Sequence, residues 1–417
     1  MRLILTIAVA FAVGGTAIAD DWLQFRGNSS NGVVNDTRVP TELSGENIKW
    51  ETKLPGRGLS GPIVVGDRVF LTASSGLREL KLHTLCFDAG TGKQLWERTS
   101  LATGRTICHS KMCVATPTPA SDGERVFSFY SSNDLACHNL DGTLQWYRGL
   151  GYEYPNASNS LGMSSSPVVV GKTVVVQVES DAESFACGLD TATGETKWKI
   201  ERPKLANWTS PAVVSDSVVL LQSSAGLSAI DAETGKEHWK FEDGASTVPS
   251  ATVVGDLIFF PSNGLTVLKM SADRKSFEKA WQKTNMRPST PSPVAYDGNL
   301  YTVGSNAITC ADAATGERKW QMRIKGPFSS TPLAANGHLY AFSEKGVAYV
   351  IKPGDTKGEV VSQMDLAQTI LCTPRSQKAA CLFAAMAACG RLRRTSLTCV
   401  LYYWLDLAAA SARLGVM

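Results

Sequence analysis

The sequence predicts an all-β protein built from a repeated four-stranded unit, and three observations lead to that prediction. A phrase made of a tight turn and a strand that ends in tryptophan recurs at residues 88–96, 190–198, 231–239 and 312–320. A second phrase places two short β-branched or aromatic runs around Gly-Asp, Asp-Gly or Asn-Gly, which is the pattern of a β-hairpin. Helical periodicity is almost absent before residue 375. Four-stranded units arranged radially make a β-propeller.

The unit that ends at Trp239 shows its four strands most clearly. We expect them at residues 212–214, 218–222, 226–230 and 237–241. The repeat of roughly 40 to 50 residues is too long for a β-helix, and short strands cannot form a helical solenoid. The propeller is therefore the repeat architecture that fits this period.

The number of blades follows from the number of repeats. Strand-ending tryptophans occur at positions 50, 96, 146, 198, 239, 281 and 320, and a degenerate turn at residues 352–358 precedes Val360. The hairpin phrase starts with a small residue, usually followed by proline; it occurs seven times and begins an eighth time at Thr373-Pro374. We therefore expect eight blades, the last of them completed by the isolated strand around Trp50.

The turn-and-tryptophan phrase has a structural explanation. The aspartate accepts backbone N–H groups within the turn, and the glycine adopts the positive φ that residues with a Cβ avoid. The tryptophan has a large apolar face to bury and one indole N–H that needs a partner. We interpret these residues as the joints between neighbouring blades and not as a reactive site.

The N-terminus has the pattern of a secretory signal peptide at residues 1–19. Arg2 precedes an apolar run at residues 3–13, and Ala17 and Ala19 provide an A-x-A cleavage site. We expect cleavage after Ala19, a periplasmic or secreted protein and no transmembrane span. Residues 20–46 form a polar lead-in that we expect to pack across the body through Trp22 and Phe25.

The repeat pattern ends at residue 374, so the expected propeller domain covers residues 47–374 and leaves an Ala-, Cys- and Arg-rich tail at residues 375–417. Our hypothesis is that the reading frame shifts just past Pro374, because another frame with permitted codons encodes a strand, an Asp-Gly turn and a tryptophan there. A genuine divergent tail is the alternative, and the nucleotide sequence decides between them. We expect the last blade to be disrupted or truncated.

Charge argues against nucleic acid as a partner. The net charge is +3, but the tail carries +5 and the first 374 residues carry −2. No basic stripe with interleaved aromatic residues remains in the main body. We expect a monomer whose partner is a protein or a component of the cell envelope.

The ten cysteines have no spacing that indicates a disulfide framework. Cys108 and Cys113 lie in one expected loop, where they either form a local bridge or remain as thiols. The sequence leaves both possibilities open.

The repeated Asp-x-x-Thr-Gly-x-x-x-Trp phrase, together with the hairpin starts, resembles the pyrroloquinoline-quinone-like (PQQ-like) β-propeller repeat family over residues 47–374. The lead-in at residues 22–27 and the Pro-Gly-Arg-Gly run at residues 55–58 resemble its secreted single-propeller members. The family is related in fold to BamB and to quinoprotein alcohol dehydrogenases. The resemblance therefore implies a fold more strongly than an activity.

Membership of the dehydrogenase branch would imply bound PQQ and calcium, with adjacent cysteines beside the quinone. This chain has no Cys-Cys pair, and no motif aligns with a calcium-binding set. The haem motif Cys-x-x-Cys-His fails as well, because Arg105 stands in the position of its first cysteine before Cys108 and His109. We therefore expect no cofactor and assign no catalytic, cofactor-binding or metal-binding residue.

Two insertions, residues 101–116 and 149–165, lengthen loops that precede blades. Propellers commonly use such loops for binding, and a groove there is one possibility, with ordinary solvated loops as the other. The candidate groove residues are Arg57, Arg105, His109, Lys111, Tyr152, Tyr154 and Trp208.

The function we expect is that of a non-catalytic secreted or periplasmic scaffold that binds a protein, a peptide or an envelope component on one face. One alternative is a PQQ-dependent oxidoreductase similar to alcohol dehydrogenases. The other is a polysaccharide-binding or hydrolytic propeller, which would require a pair of carboxylates in the central groove.

Overall fold

A computed structural model describes residues 21–34, 39–377, 380–387 and 398–405 of the chain. Within these residues the chain forms seven four-stranded antiparallel sheets and one sheet of five strands. The first strands of consecutive sheets contact one another around a central axis. The prediction of an all-β, eight-bladed propeller is confirmed, whereas the signal peptide predicted at residues 1–19 lies outside the described residues.

The strands follow the order of the chain. The lead-in contributes β1 (Val33–Val34), and the strand around Trp50 is β2 (Ile48–Lys53). Blades 1 to 3 contain β3 (Ile63–Val65), β4 (Arg68–Ser75), β5 (Lys81–Asp88), β6 (Gln94–Leu101), β7 (Ala120–Ser121), β8 (Arg125–Phe129), β9 (Asp134–Asn139), β10 (Leu144–Gly149), β11 (Val168–Val170), β12 (Thr173–Val178), β13 (Phe185–Asp190) and β14 (Thr196–Glu201). Blades 4 to 6 contain β15 (Ala212–Val213), β16 (Val218–Ser223), β17 (Gly226–Asp231), β18 (Glu237–Phe241), β19 (Thr252–Val254), β20 (Leu257–Phe260), β21 (Leu265–Met270), β22 (Phe277–Lys283), β23 (Val294–Tyr296), β24 (Asn299–Val303), β25 (Ala307–Asp312) and β26 (Arg318–Arg323).

Blade 7 contains β27 (Leu333–Ala335), β28 (His338–Phe342), β29 (Val347–Pro353) and β30 (Gly358–Asp365), with β1 added as a parallel edge strand beside β27. Blade 8 contains β31 (Arg375–Gln377), β32 (Ala380–Ala387) and β33 (Thr398–Leu405) together with β2. One short helix, α1 (Leu150–Glu153), and two 3-10 turns, Gly45–Asn47 and Leu77–Glu79, interrupt the strands of the described chain. None of the described helices has the length and apolar composition that crossing a bilayer requires.

Burial falls from the inner strands to the outermost strand of a blade. In blade 4, all six residues of β16 are buried, whereas β18 alternates and buries only Trp239. A continuous apolar run suits a strand covered on both faces, and alternation suits one with a solvated face. The four strands of this blade begin and end within one residue of the predicted positions.

The strand-ending tryptophans join the blades. Each indole N–H donates to a backbone carbonyl in the turn of the next blade, at 2.6 to 3.2 Å. The donors and acceptors are Trp50 and Ala89, Trp96 and Leu140, Trp146 and Thr191, Trp198 and Ala232, Trp239 and Arg274, Trp281 and Ala313, and Trp320 and Gly354. The interpretation of these residues as joints is confirmed.

The turn glycines are required for the same joint. Gly235 has a φ of +72°, and a Cβ placed on it would lie 2.7 Å from the ring of Trp198. The tryptophan of one blade therefore covers the glycine of the next, so backbone conformation and close packing select the same residue.

Gly235→Ala is expected to lower the free energy of unfolding by about 2 kcal/mol, because it adds overpacking to the cost of a positive φ. Gly255→Ala is the matched control, since Gly255 has a φ of +63° but no atom within 4 Å of its added Cβ. We expect the control to cost about 1 kcal/mol in chemical denaturation. Equal losses in the two variants would contradict the packing explanation.

The ring closes through the predicted strand. β2 pairs antiparallel with β33, with Trp50 opposite Tyr403 and Lys53 opposite Val400. The use of the strand around Trp50 to complete the last blade is thereby confirmed.

The tail differs from the expectation of a disrupted last blade, because β31, β32 and β33 complete a four-stranded sheet with β2. The runs at Ala380–Ala387 and Thr398–Leu405 contain no charged residue, and the second is rich in aromatic and β-branched residues, which favour strands. The frameshift concerns the gene and remains a hypothesis.

The lead-in closes one end of the axis. Trp22 is buried and exchanges two backbone hydrogen bonds with Val64 of β3, each 2.9 Å long. Further hydrogen bonds reach the inner strands of other blades, through Ser121 to Leu23, Val169 to Gln24, Arg26 to Thr252, Val213 to Ser30 and Ala334 to Gly32. The lead-in thus packs across the body as predicted, with Trp22 anchored on blade 1.

Cys108 carries a free thiol, which donates to Ser131 Oγ at 3.5 Å. The local bridge between Cys108 and Cys113 that the sequence left open is therefore not formed in the structure.

Candidate functional site

The end of the propeller opposite the lead-in contains a cavity on the axis. The connections between successive blades, and the loops between the second and third strands of a blade, fall at this end, which we call the top face. Both insertions, residues 101–116 and 149–165, lie there. The cavity has a volume of about 390 Å³. It extends along the axis as far as the lead-in, because Phe25 is among its lining residues. Its size is typical of a small-ligand or peptide site.

The cavity is surrounded by a ring of hydroxyl groups, one from each of seven blades. Each hydroxyl oxygen accepts the backbone N–H of the corresponding residue in the preceding blade, at 2.9 to 3.2 Å. The hydroxyl ring consists of Thr118, Ser166, Ser210, Ser250, Ser292, Thr331 and Thr373. Gly61 takes the eighth position, and a Cβ there would lie 3.1 Å from Thr118 Oγ1 and 3.2 Å from the carbonyl of Thr373.

The hydroxyl ring leaves its hydrogens unused. None of its members donates a hydrogen bond to another residue in the described parts of the chain, so each has an O–H available to the cavity. Sequence reasoning missed this feature because the small residue before each hairpin was interpreted only as the start of the hairpin phrase. The recurrence of Ser or Thr at seven of the eight positions was the available signal.

The two insertions form one wall of the cavity. The N–H of His109 in the first donates to the carbonyl of Leu161 in the second, at 2.8 Å. The indole N–H of Trp208 donates to the carbonyl of Gly162 at 2.8 Å, and Ser164 Oγ donates to the carbonyl of Trp208. These hydrogen bonds hold the two insertions against each other, so the wall of the cavity is an ordered part of the fold.

The structure brings together three of the seven predicted groove residues. His109, Lys111 and Trp208 line the cavity. Arg57 lies beside the first insertion, where it binds Glu79 at 2.7 Å and the carbonyl of Met112 at 2.8 Å.

The other three predicted residues lie outside the cavity. Arg105 is exposed on the first insertion, and Tyr152 is 79% exposed. Tyr154 packs on Phe185, with the ammonium of Lys199 3.9 Å from the centre of its ring. The groove that the sequence offered as one possibility therefore does not include these three residues; Tyr152 lies in α1 and Tyr154 directly after it.

The described residues that line the cavity include two basic side chains, His109 and Lys111, and no carboxylate. Lys111 Nζ is paired at 2.8 Å with Glu344, which is not among the lining residues. In the lead-in below, the guanidinium of Arg26 is fully buried and donates to Thr252 Oγ1 at 2.7 Å. Burial lowers the pKa of Arg26 to about 9, so the group stays a cation at neutral pH. Hydroxyl donors above a buried cation favour a ligand with negatively charged oxygen atoms.

Several large apolar side chains are exposed on the top-face connections of blades 1 and 2, and one of them, Leu161, also lines the cavity. Leu77, on the loop after β4, is 80% exposed, and Tyr152 of α1 is 79% exposed. Leu101, Ile107 and Leu161 are also exposed large apolar side chains in these connections. We call these five residues the top-face patch. Clustered exposed apolar residues rimmed by polar ones are typical of a protein-binding surface.

The residues of the axial cavity do not fit the cofactors of the dehydrogenase branch. A calcium site needs several oxygen ligands including carboxylates, and none of the described residues that line the cavity carries a carboxylate. Among the described residues, no group of three or more His, Cys, Asp or Glu side chains is arranged to hold a metal ion. The donor set thus disagrees with a calcium-assisted quinone at this position.

The chain matches a family model described as outer membrane protein assembly factor BamB, over residues 33–152, 84–257 and 266–361. A curated relative of the same description, from Legionella pneumophila (strain Paris), is 24% identical over 210 residues. That match covers 49% of this chain and 48% of the relative, so the chain matches about half of the relative's length.

Solved structures share the fold at low sequence identity. A BamB structure from Moraxella catarrhalis has a TM-score of 0.60 and 15% identity, covering 86% of this chain and 97% of that one. A europium-containing methanol dehydrogenase has a TM-score of 0.71 and 12% identity, covering 92% of this chain and 98% of that one. Binding proteins and enzymes therefore share this architecture, and the distinction must come from the residues at the site.

Proposed function

The chain belongs to the family described as outer membrane protein assembly factor BamB, and from that premise we propose that it is a periplasmic or secreted scaffold that binds a protein or peptide of the cell envelope on its top face. The observation that carries this proposal is the top-face patch beside an axial cavity lined with free hydroxyl donors. The top-face patch can bury apolar side chains of a partner, and the hydroxyl groups of the cavity can donate hydrogen bonds to a polar group of the same partner.

The cavity favours an acidic or carbonyl-rich segment of such a partner. The hydroxyl ring donates hydrogen bonds, and Lys111 and His109 stand at the wall without a carboxylate among the lining residues. A peptide carboxylate entering on the axis would meet donors on all sides, whereas a cationic group would meet none of the acids it needs. The partner is therefore proposed to insert an acidic residue or a chain terminus.

The top-face patch supports a partner larger than a small molecule. Its five residues come from blade 1 and the two insertions, so a ligand confined to the axis would leave them exposed. Interface cores are enriched in aromatic and apolar side chains surrounded by polar rims. Tyr152 is the candidate anchor, because an exposed aromatic residue has much surface to bury on binding.

The two alternatives receive less support from the site. A PQQ-dependent oxidoreductase would require calcium ligands that the cavity lining does not offer. A hydrolytic or polysaccharide-binding propeller would require a pair of carboxylates in the central groove, and the described lining residues include none. Addition of PQQ and calcium to the purified chain is expected to give no bound-quinone absorbance and no alcohol-dependent dye reduction; either signal would overturn the scaffold proposal.

Site-specific photocrosslinking in the producing cells tests the proposal. With a benzophenone amino acid at position 152, we expect reproducible adducts to one or a few envelope proteins. The matched control carries the same group at position 144, because Leu144 is also a large exposed apolar residue but begins the outer strand β10 away from the top face. The same adducts from both positions, or none from position 152, would count against a top-face partner.

A further inference from the structure

A serine, a histidine and a glutamate form a continuous hydrogen-bonded chain in blade 1, outside the axial cavity. Ser75 Oγ lies 2.7 Å from His83 Nε2, and His83 Nδ1 lies 2.7 Å from Glu97 Oε1. This is the connectivity of a nucleophile, a general base and an orienting carboxylate. Such a constellation is recognised by geometry and not by the order of its residues in the sequence.

The register of three neighbouring strands creates this arrangement. His83 on β5 stands opposite Ala73 of β4 and Thr99 of β6, so Ser75 and Glu97 are its diagonal neighbours on the same face. Diagonal neighbours on a sheet are separated by a distance that a long or aromatic side chain can bridge. The imidazole therefore reaches the serine with one nitrogen and the glutamate with the other.

The carboxylate fixes the tautomer of the histidine. Ionised Glu97 can only accept, so Nδ1 carries the hydrogen and Nε2 accepts from Ser75 Oγ. Thr99 Oγ1 lies 3.3 Å from the same Nδ1, and Gln94 Nε2 donates to the other oxygen of Glu97 at 3.2 Å. His83 is buried and Glu97 is 30% exposed, so the base is held in place while Ser75 at the strand end remains half-buried.

The backbone that follows the serine is unusual. Gly76 has a φ of +77°, and Arg78 and Glu79 are two consecutive non-glycine residues with positive φ, at 53° and 58°. Strain of this kind persists only where surrounding contacts impose it, and it is concentrated at functional sites. Glu79 supplies those contacts here, since its carboxylate binds Arg57, Ser74 Oγ and the N–H of Val114.

This turn also provides hydrogen-bond donors. The N–H groups of Gly76 and Leu77, which directly follow Ser75, donate to no other residue in the described parts of the chain. Backbone donors next to a nucleophile are the usual means of stabilising an oxyanion. Leu77 and Leu80 are exposed beside them and offer apolar contact to an acyl group.

We propose that Ser75, His83 and Glu97 form a hydrolytic triad at the top rim of blade 1 that cleaves carboxylic esters with short apolar acyl groups. Ser75 Oγ forms a bond to the carbonyl carbon while its proton moves to His83 Nε2. The bond from that carbon to the alcohol oxygen then breaks, and the alcohol leaves with the proton. Water attacks the acyl-serine with His83 again taking a proton, and Ser75 is released with that proton. The sum is ester plus water to carboxylic acid plus alcohol, with no cofactor.

Hydrolysis of p-nitrophenyl butyrate by the purified full chain tests the proposal. We expect turnover that falls by at least about a hundredfold in Ser75→Ala, because the variant loses the nucleophile together with its proton transfer to His83, and proton transfer alone contributes about a hundredfold or more. Ser215→Ala is the matched control, because Ser215 is also half-buried but lies in a turn on the opposite face. A fluorophosphonate probe, followed by peptide mass spectrometry, is expected to label Ser75 in the wild type and in the control.

Glu97 acts through His83 and is a positioning residue. Glu97→Gln is expected to lower kcat with little change in KM, and Glu97→Asp to retain more activity than Glu97→Gln. Circular dichroism melting of each variant separates loss of folding from loss of chemistry. The proposal is overturned if hydrolysis by the folded Ser75→Ala variant equals that of the wild type, if the probe labels elsewhere or not at all, or if Glu97→Gln leaves kcat unchanged.

Discussion

Replacing Trp198 by alanine is expected to lower the free energy of unfolding by about 4 kcal/mol, the scale measured for removal of a large buried aromatic side chain. Trp198 is 7% exposed, and its ring covers Gly235 in the turn of the next blade. Truncation leaves a cavity between two blades and removes the 2.8 Å hydrogen bond to the carbonyl of Ala232. The measurement is chemical denaturation followed by tryptophan fluorescence and far-ultraviolet circular dichroism.

Two further variants separate the contributions in this joint. Trp198→Phe keeps an aromatic ring but removes the N–H, so we expect roughly half of the loss, with about 1 kcal/mol of it from the hydrogen bond. Leu144→Ala, at an exposed strand position, is expected to change stability by less than about 0.5 kcal/mol. If Trp198→Ala costs no more than Leu144→Ala, the tryptophans are not the joints that the geometry indicates.

Acid sensitivity centred on His138 is the second large expected effect. Burial, and secondly the positive charge of Arg98, lowers the pKa of His138 from 6.5 to about 4. Between pH 6.5 and pH 4 the imidazole is protonated in the unfolded chain but stays neutral in the folded chain. The free energy of unfolding therefore decreases as the pH falls from 6.5 towards 4. The loss is about 3 kcal/mol from this one residue, at 1.36 kcal/mol per pKa unit.

His138→Phe is expected to remove that part of the pH dependence. The phenyl ring retains the packing against Trp96, whose ring centre is 6.1 Å from that of the imidazole, and it cannot bind a proton. Denaturation at pH 7 and pH 4 should therefore give a difference about 3 kcal/mol smaller in the variant than in the wild type. Equal differences in the two proteins would mean that His138 does not carry the effect.

Much of the fold could be predicted because the same physical requirement is repeated. The glycine that must adopt a positive φ beneath a tryptophan recurs in one blade after another, together with that tryptophan. Counting these glycine and tryptophan pairs therefore counts the blades. The part of the last blade after Pro374 escaped the prediction because β32 and β33 pair through general strand-forming residues, without the Gly-Asp, Asp-Gly or Asn-Gly hairpin turn of the other copies.

The candidate sites were less accessible to sequence reasoning. Thr118 and Ser166 resemble ordinary residues before proline, and only the closure of the ring turns their hydroxyls towards one axis. Ser75, His83 and Glu97 lie on three strands and form no motif, since their meeting depends on a register that the sequence does not specify. Tyr152 and Tyr154 were grouped with His109 because both insertions lengthen loops that precede blades, but the direction of a loop follows from its tertiary contacts.

The lead-in has a consequence for the order of events during synthesis. Residues 21–34 leave the ribosome before any blade, yet their partners extend from Val64 in blade 1 to Ala334 in blade 7. The antiparallel meanders can form one after another from local hairpins, whereas the lead-in must wait for nearly the whole ring. This early segment is therefore among the last to become ordered, and until then Arg26 remains hydrated and the lower end of the axis is open.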